Sequence, residues 1–225
     1  MSRRNVFLIA LNISLMGAFS LLAVRMFVAR TDGYFFLLWN LFLAAIPYWI
    51  AAFFERSLGK NTHMTNGLWI VFLVWLFFFP NAPYIVTDFV HLPWEYEYSQ
   101  SFAYDFVLVA TFAFSGMLFG MGALFRVHRA LRKAIGRWWG DAAMVAVIFL
   151  SGIGIYLGRF LRWNSWDAFL NPLLVFRDTL SHYGDPVWFA RAVALSFLFS
   201  IGIGASYLFF VAAYWALGWR RNRSN

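Results

Sequence analysis

The feature that most constrains this 225-residue chain is a set of six long apolar stretches separated by short polar segments. About 20 residues of α-helix cross a bilayer core roughly 30 Å thick, and each stretch is long enough to do so. Charged residues make up 12% of the chain, about half the share typical of soluble domains. The stretches are residues 6–28, 34–54, 68–86, 102–125, 142–161 and 188–219. The sequence therefore predicts an all-α, polytopic membrane bundle, with residues 1–225 forming a single transmembrane domain.

The distribution of Lys and Arg predicts the orientation of these spans. Short cytoplasmic segments of membrane proteins are enriched in positive charge. Twelve of the 18 basic residues fall on one side of the predicted membrane: Arg3, Arg4, Arg56, Lys60, Arg126, Arg129, Arg132, Lys133, Arg137, Arg220, Arg221 and Arg223. His63 and His128 lie among them and are expected to face solvent. We therefore expect both termini in the cytoplasm, and we interpret the basic cluster at 126–137 as a topology signal rather than a nucleic-acid surface.

Several classes of function are excluded or disfavoured by composition. The chain has no Cys, which rules out a disulfide scaffold, a thiolate metal site and a Cys nucleophile. The longest connecting segment, residues 162–187, is shorter than the roughly 40 residues that a self-supporting domain needs. The middle layer of the predicted membrane contains no ionisable side chain, which disfavours a pump or an ion-coupled transporter. Any function must therefore be built from helix ends and loops, and no cofactor or metal is predicted.

The first informative polar stretch is PNAPYIVTDFVHL, residues 80–92, at the outer end of the third span. Its two prolines break the helix, and carbonyl groups freed inside a bilayer must find other partners. Asn81 is placed to supply one partner. Asp88 and His91 are three residues apart and share one face of the resumed helix, as a general base and its orienting carboxylate would. The same spacing equally suits a carboxylate–imidazole hydrogen bond with no further role.

The second polar stretch is GRFLRWNSWD, residues 158–167, where the fifth span ends. Arg159 and Arg162 share a helical face at the same predicted boundary. Two guanidinium groups at the mouth of a cavity could clamp a lipid phosphate through paired hydrogen bonds. Ion pairing with Asp88, Asp105 or Asp167 would satisfy them just as well, within a ring of pairs that ties the helix ends together.

An amphipathic helix is predicted at residues 166–180, between the fifth and sixth spans. Asn164 or Ser165 can cap this helix, and Asp167 is favourable in its first turn. Because its apolar side chains face one side, we expect the helix to lie on the outer membrane surface. Asn81, Asp105, Asn164 and Asp167 are the further candidates for ligand binding in a polar pocket beside the two arginines.

Small residues at four-residue spacing predict close helix packing in the last three spans, because they let backbones approach each other. The pairs are Gly116 with Gly120, Gly154 with Gly158, and Ser200 with Gly204.

The two polar stretches, 80–92 and 158–167, resemble the signature segments of the domain of unknown function 1361 family, a group of bacterial multi-pass membrane proteins. The resemblance extends from about the second span through the sixth. It implies an integral protein of the bacterial cytoplasmic membrane. It implies no reaction, ligand or catalytic residue.

Three functions are consistent with the sequence. In the first, an outer polar pocket binds a lipid or lipid-linked headgroup, and could process it by acyl or phosphoryl transfer. His91 would then act as base, Asp88 as its orienter, and Arg159 and Arg162 as anion clamps. In the second, the protein is a non-catalytic assembly or accessory factor, and the same residues form structural pairs. In the third, it is a small-molecule exporter. Membrane lipids are the expected partners, nucleic acid is not, and no enzymatic activity is assigned.

Overall fold

Residues 2–30, 33–60, 63–92, 100–163 and 167–219 are described by a computed structural model. Over these ranges the chain is helical and contains no strand. In chain order the elements are α1 (Arg3–Ala29), α2 (Phe36–Lys60), α3 (Asn66–Phe78), α4 (Asn81–Tyr84), a 3₁₀ helix (Ile85–His91), α5 (Gln100–Ile135), α6 (Arg137–Phe160), α7 (Asp167–Leu170), α8 (Pro172–Gly184) and α9 (Pro186–Trp219).

Six segments of the described chain are long and apolar enough to cross a membrane, which confirms the predicted all-α membrane bundle. They are Arg3–Val28, Phe36–Gly59, Asn66–His91, Ser101–Ile135, Arg137–Phe160 and Pro186–Ala216. Successive segments run in opposite directions, so the bundle has two ends. We call the end with the 3₁₀ helix and the last turn of α6 the Asp88 end. The opposite end, with the last turns of α5, is the His128 end.

Helix α5 lies at the centre of the bundle. It contacts α1, α2, α4, the 3₁₀ helix, α6 and α9. Of its most apolar window, 67% is buried, compared with 17% for α1. Its buried side chains include Leu108, Phe112 and Leu124, whereas Ile13 and Phe27 of α1 are exposed. The other spans therefore pack around α5 and turn an apolar face outward, as lipid-facing helices do.

Two prolines interrupt the third span, as predicted. Helix α3 ends at Phe78, and the chain continues as a single α-helical turn followed by the 3₁₀ helix. The side-chain amide of Asn81 donates a hydrogen bond of 2.9 Å to the carbonyl oxygen of Phe78. A carbonyl group left at the end of the helix therefore has a partner, and the partner is the predicted one.

Glycines of α5 and α6 make room for this interrupted segment. A Cβ atom added at Gly116 would lie 2.5 Å from Cγ2 of Ile85, and one added at Gly154 would lie 2.8 Å from Cγ of Pro80. Both distances are too short for a real contact. The small residues thus permit the close packing that their spacing predicts, and here they receive residues 80–85 of the third span.

The amphipathic segment after α6 forms two helices rather than the one predicted at 166–180. Helix α7 ends at Leu170, and α8 begins at Pro172, because the fixed φ of proline favours the first position of a new helix. Helix α8 packs against α9 and leaves Leu173 and Phe176 exposed. The segment therefore keeps the exposed apolar side chains expected of a helix at a membrane surface.

Candidate functional site

A cavity of about 450 Å³ lies at the Asp88 end, between α2, the interrupted third span and α6. Its volume falls in the range of small-molecule sites. Near the helix ends the lining is polar, with Asn40, Tyr84, Asp88, His91 and Arg159. Further in, it is apolar apart from Asn81, with Leu43, Leu76, Phe77, Leu150, Ile153 and Leu157. Leu150 lies ten residues before the end of α6 at Phe160, so the cavity extends about 15 Å into the bundle.

Asp88 is the most deeply buried polar group in this lining, with 0% of its surface exposed. Its Oδ2 accepts a hydrogen bond of 2.8 Å from the side-chain amide of Asn40. Its Oδ1 is buried and has no hydrogen-bond partner among the described residues. A buried carboxylate oxygen without a donor is energetically unfavourable, so Oδ1 is a candidate for binding a ligand.

Arg159, in the last turn of α6, is half-buried and faces neutral groups. Its Nη1 lies 3.4 Å from the hydroxyl oxygen of Tyr84 and 3.4 Å from Nε2 of His91. The guanidinium carbon is 5.9 Å from the centre of the Tyr84 ring. Both polar contacts are long for hydrogen bonds. Within the described part of the chain, no carboxylate oxygen lies within 4.0 Å of Arg159, so this cation forms no ion pair there, although its charge acts on Asp88 at longer range.

His91 is exposed at the mouth of the cavity. Its ring packs edge-on against Phe36, with the ring centroids 4.8 Å apart. Its Nε2 faces Arg159, whereas Asp88 bonds Asn40. The described contacts therefore include no hydrogen bond between Asp88 and His91 of the kind that a base and its orienter would share.

Asp105 lies outside the cavity and forms a bidentate ion pair with Arg25 of α1. The pair includes a contact of 2.8 Å between Nη2 of Arg25 and Oδ2 of Asp105. Burial, together with a hydrogen bond to Asp105, raises the pKa of Tyr34 to about 12. A ring of ion pairs was predicted at the Asp88 end, and among the described residues the Arg25–Asp105 pair is the one that forms there. It joins α1 to the start of α5.

The structure separates the two arginines of the predicted clamp. Helix α6 ends at Phe160, and Arg162 lies beyond it with a left-handed φ of 60°. Its side chain is exposed and does not line the cavity. Asp167 begins α7 and also lies outside the lining, and Asn164 falls outside the described residues. Of the sequence candidates, the cavity thus brings together Asn81, Asp88, His91 and Arg159.

Asn40 and Trp163 stand out among the lining residues that were not sequence candidates for the site. Asn40 bonds Asp88, and the indole nitrogen of Trp163 is buried with no hydrogen-bond partner among the described residues. Asn40 is an amide inside an otherwise apolar span, and such residues commonly form hydrogen bonds between membrane helices. Trp163 carried no such signal, because tryptophan is common at membrane interfaces.

A second polar cluster joins α5, α6 and α9 at the His128 end. The Nδ1 of His128 lies 2.6 Å from the hydroxyl of Tyr207, and its Nε2 lies 2.8 Å from Oδ1 of Asp141. Asp141 also pairs with Arg132 at 2.9 Å. Only 17% of the His128 side chain is exposed, so the prediction that it faces solvent is wrong. His63 is exposed, as predicted. Both ring nitrogens of His128 are occupied, which fits a structural clamp.

Comparison with known proteins gives one match. A family model described as "Protein of unknown function (DUF1361)" matches residues 39–205, about three-quarters of the chain. The matched region contains both polar stretches and all of the cavity lining. No curated protein and no solved structure matches the chain.

Proposed function

We propose that this chain, which belongs to the DUF1361 family of proteins of unknown function, binds a lipid or lipid-linked molecule in the cavity at its Asp88 end. The observation that carries the proposal is a fully buried carboxylate with an unpartnered oxygen, placed in the polar part of an otherwise apolar cavity. Ligand sites commonly combine apolar walls with a few polar groups of this kind.

The apolar walls suit a hydrocarbon chain that enters from the side of the bundle. Trp39, Phe77 and Leu150 line the cavity, yet they are also 55%, 46% and 47% exposed on the surface of the bundle. In a membrane, that surface faces lipid. An acyl or prenyl chain could therefore pass between α2 or α3 and α6 without crossing water.

We place the Asp88 end on the outer side of the membrane and both termini in the cytoplasm. The support is the concentration of Lys and Arg at the other end. The ligand would then come from the outer leaflet. This arrangement requires binding only, and no reaction is proposed.

Photocrosslinking in lipid nanodiscs tests the proposal. The full chain is reconstituted with a phosphatidic acid that carries a diazirine near the end of one acyl chain, and crosslinked peptides are mapped by mass spectrometry. Crosslinks should concentrate in residues 150–157 of α6 and at Leu76 and Phe77, at a level above that of other lipid-facing residues.

A matched pair of α6 variants separates the cavity from the general lipid surface. Ile153→Trp fills the cavity and should reduce crosslinking at Leu76 and Phe77 severalfold. Val145→Trp adds the same side chain at a position that is 70% exposed and outside the lining, and should change nothing. Equal labelling in both variants would show that the lipid merely coats the bundle.

A structural role for the polar cluster is the second candidate, and the hydrogen bond between Asn40 and Asp88 favours it, because it joins α2 to the third span. Asp88→Asn retains an oxygen that can accept from Asn40, so the bundle should still accumulate in the membrane. Under the binding proposal, this variant keeps its thermal stability and its ligand affinity changes. A variant that fails to accumulate would favour the structural role.

A further inference from the structure

We infer that the preferred ligand is a single-chain amphiphile in which a hydrogen-bond donor stands between the apolar chain and a terminal anion, as in a lysophospholipid with a free glycerol hydroxyl. The inference rests on the proposed lipid-binding function and adds the order of chemical groups along the ligand. That order follows from the depths at which the cavity presents its groups.

Two independent helices give the depth of Asp88 below the mouth of the cavity. Phe36 begins α2 and packs against His91, so these two residues lie at one level. Asn40, which bonds Asp88, is four residues further along α2, about 6 Å deeper at 1.5 Å per residue. Asp88 precedes His91 by three residues of 3₁₀ helix, again about 6 Å at 2.0 Å per residue.

The cavity therefore has three layers. At the mouth, Arg159 and His91 are 3.4 Å apart, and the guanidinium has no carboxylate within 4.0 Å among the described residues. About 6 Å below lies Asp88, with an oxygen that has no donor among the same residues. Below Asp88 the lining is apolar, at Leu43 and Ile153, apart from Asn81, whose side-chain amide bonds the carbonyl oxygen of Phe78.

Each layer selects one chemical group. The mouth layer attracts an anion, since a guanidinium forms charge-assisted hydrogen bonds with phosphate or carboxylate. Asp88 Oδ1 requires an O–H or N–H group, because a buried acceptor left without a donor weakens binding. The apolar layer accepts a hydrocarbon chain. Read from depth to mouth, the ligand is a chain, then a donor, then an anion.

This order distinguishes amphiphiles that are otherwise alike. In a lysophosphatidic acid, the free hydroxyl lies between the acyl chain and the phosphate. In a diacyl phosphatidic acid, both neighbouring glycerol oxygens are esterified, and nothing there can donate to Asp88. An N-acyl amino acid has the same order, with an amide N–H as the donor and a carboxylate as the anion. The shared chemistry is the chain–donor–anion sequence.

Competition against the diazirine phosphatidic acid in nanodiscs tests the inference. The competitors are palmitoyl lysophosphatidic acid, its 2-deoxy analogue (which lacks only the hydroxyl) and N-palmitoylglycine. The hydroxylated lipid should displace cavity crosslinks at about a tenfold lower mole fraction than the 2-deoxy analogue, the size expected for one charge-assisted hydrogen bond. Equal displacement by the two would overturn the inference while leaving lipid binding intact.

The third competitor identifies the source of the donor. Strong displacement by N-palmitoylglycine supports the order of groups and extends it to amide donors, whereas displacement by lysophosphatidic acid alone restricts it to hydroxyls. If cavity residues are crosslinked neither by the diazirine phosphatidic acid nor by a lysophosphatidic acid with the same diazirine chain, the proposed function itself fails, which is a different result from unselective displacement.

Variants test which residues bind the donor and which bind the anion. Asp88→Leu combined with Asn40→Leu replaces both hydrogen-bond partners by apolar groups, a change that buried sites tolerate better than the loss of one partner. This double variant should bind the hydroxylated and 2-deoxy lipids equally. Arg159→Gln should weaken both lipids severalfold and leave their ratio unchanged. Arg162→Gln is the matched control. Arg162 is exposed and lies outside the lining, so this variant should bind both lipids as the wild type does. A double variant that kept the tenfold ratio would exclude Asp88 as the acceptor.

Discussion

Asn40 donates a hydrogen bond of 2.8 Å to Asp88 and thereby fixes α2 to the 3₁₀ helix that completes the third span. The contact occupies one carboxylate oxygen and leaves the other without a donor among the described residues. A single buried carboxylate therefore holds two spans together and, under the binding proposal, offers its other oxygen to a ligand.

The first prediction concerns the stability that this bond provides. Asn40→Ala leaves both oxygens of a buried carboxylate without a donor and should lower the free energy of unfolding by about 1–3 kcal/mol. The measurement is the thermal unfolding temperature of the purified protein in detergent. Asn12→Ala is the matched control, since that exposed amide bonds the carbonyl of Leu8 in its own helix. Similar losses in the two variants would contradict the role given to Asn40.

The second prediction concerns the packing of the interrupted span. Gly116→Ala places a methyl group 2.5 Å from Ile85 and should destabilise the bundle by about 1–3 kcal/mol through overpacking. Gly202→Ala is the control, because nothing lies within 4 Å of the added Cβ atom. Combining Gly116→Ala with Ile85→Ala should cost less than the sum of the two single changes. Additive losses would show that the two residues do not meet.

The third prediction concerns orientation. Because the chain has no Cys, single cysteines can be introduced and labelled in intact cells with a membrane-impermeant maleimide. Asp178→Cys, exposed on α8, should be labelled from outside, whereas Arg137→Cys, exposed at the start of α6, should react only after the membrane is permeabilised. The reverse pattern would invert the proposed topology and move the cavity to the inner leaflet.

The fourth prediction concerns alkaline pH. The pKa of Tyr34 is raised to about 12 in the folded protein, above its ordinary value of 10.0. Below pH 10 the phenol is neutral whether the chain is folded or unfolded, so it adds no pH dependence. Between about pH 10 and pH 12 the unfolded chain ionises first, and folding loses stability as the pH rises.

Tyr34→Phe should therefore lose less stability than the wild type between pH 9 and pH 11, as followed by thermal unfolding. Tyr214→Phe is the control, since that ring packs under the guanidinium of Arg3, away from Asp105. Parallel losses in the wild type and Tyr34→Phe would argue against a buried Tyr34 hydroxyl beside Asp105.

The features that could be predicted from the sequence are those set by local chemistry. The lengths of the apolar stretches predicted the six spans. The prolines of the 80–92 stretch predicted both the interruption of the third span and the hydrogen bond from Asn81 to a freed carbonyl group. The segment after α6 was predicted as one helix, although Pro172 is a local signal for the start of a second one.

The features that could not be predicted depend on contacts between distant parts of the chain. Asn40 and Asp88 are 48 residues apart, and His128 and Tyr207 are 79 apart, so spacing along one helix reveals neither pair. The prediction that Arg162 lines the cavity beside Arg159 failed for a local reason, which residue spacing does not show either. The helix ends before it, and a left-handed residue turns the chain away.

The clamp at the His128 end has a consequence for traffic through the bundle. Its three helices are tied there by side chains that satisfy one another, and the lining of the cavity stops near the midpoint of α6. Within the described residues, the cavity does not continue to the His128 end. Under the binding proposal, a ligand would enter and leave through the Asp88 end or the lipid-facing side of the cavity, which favours holding the ligand over moving it across the membrane.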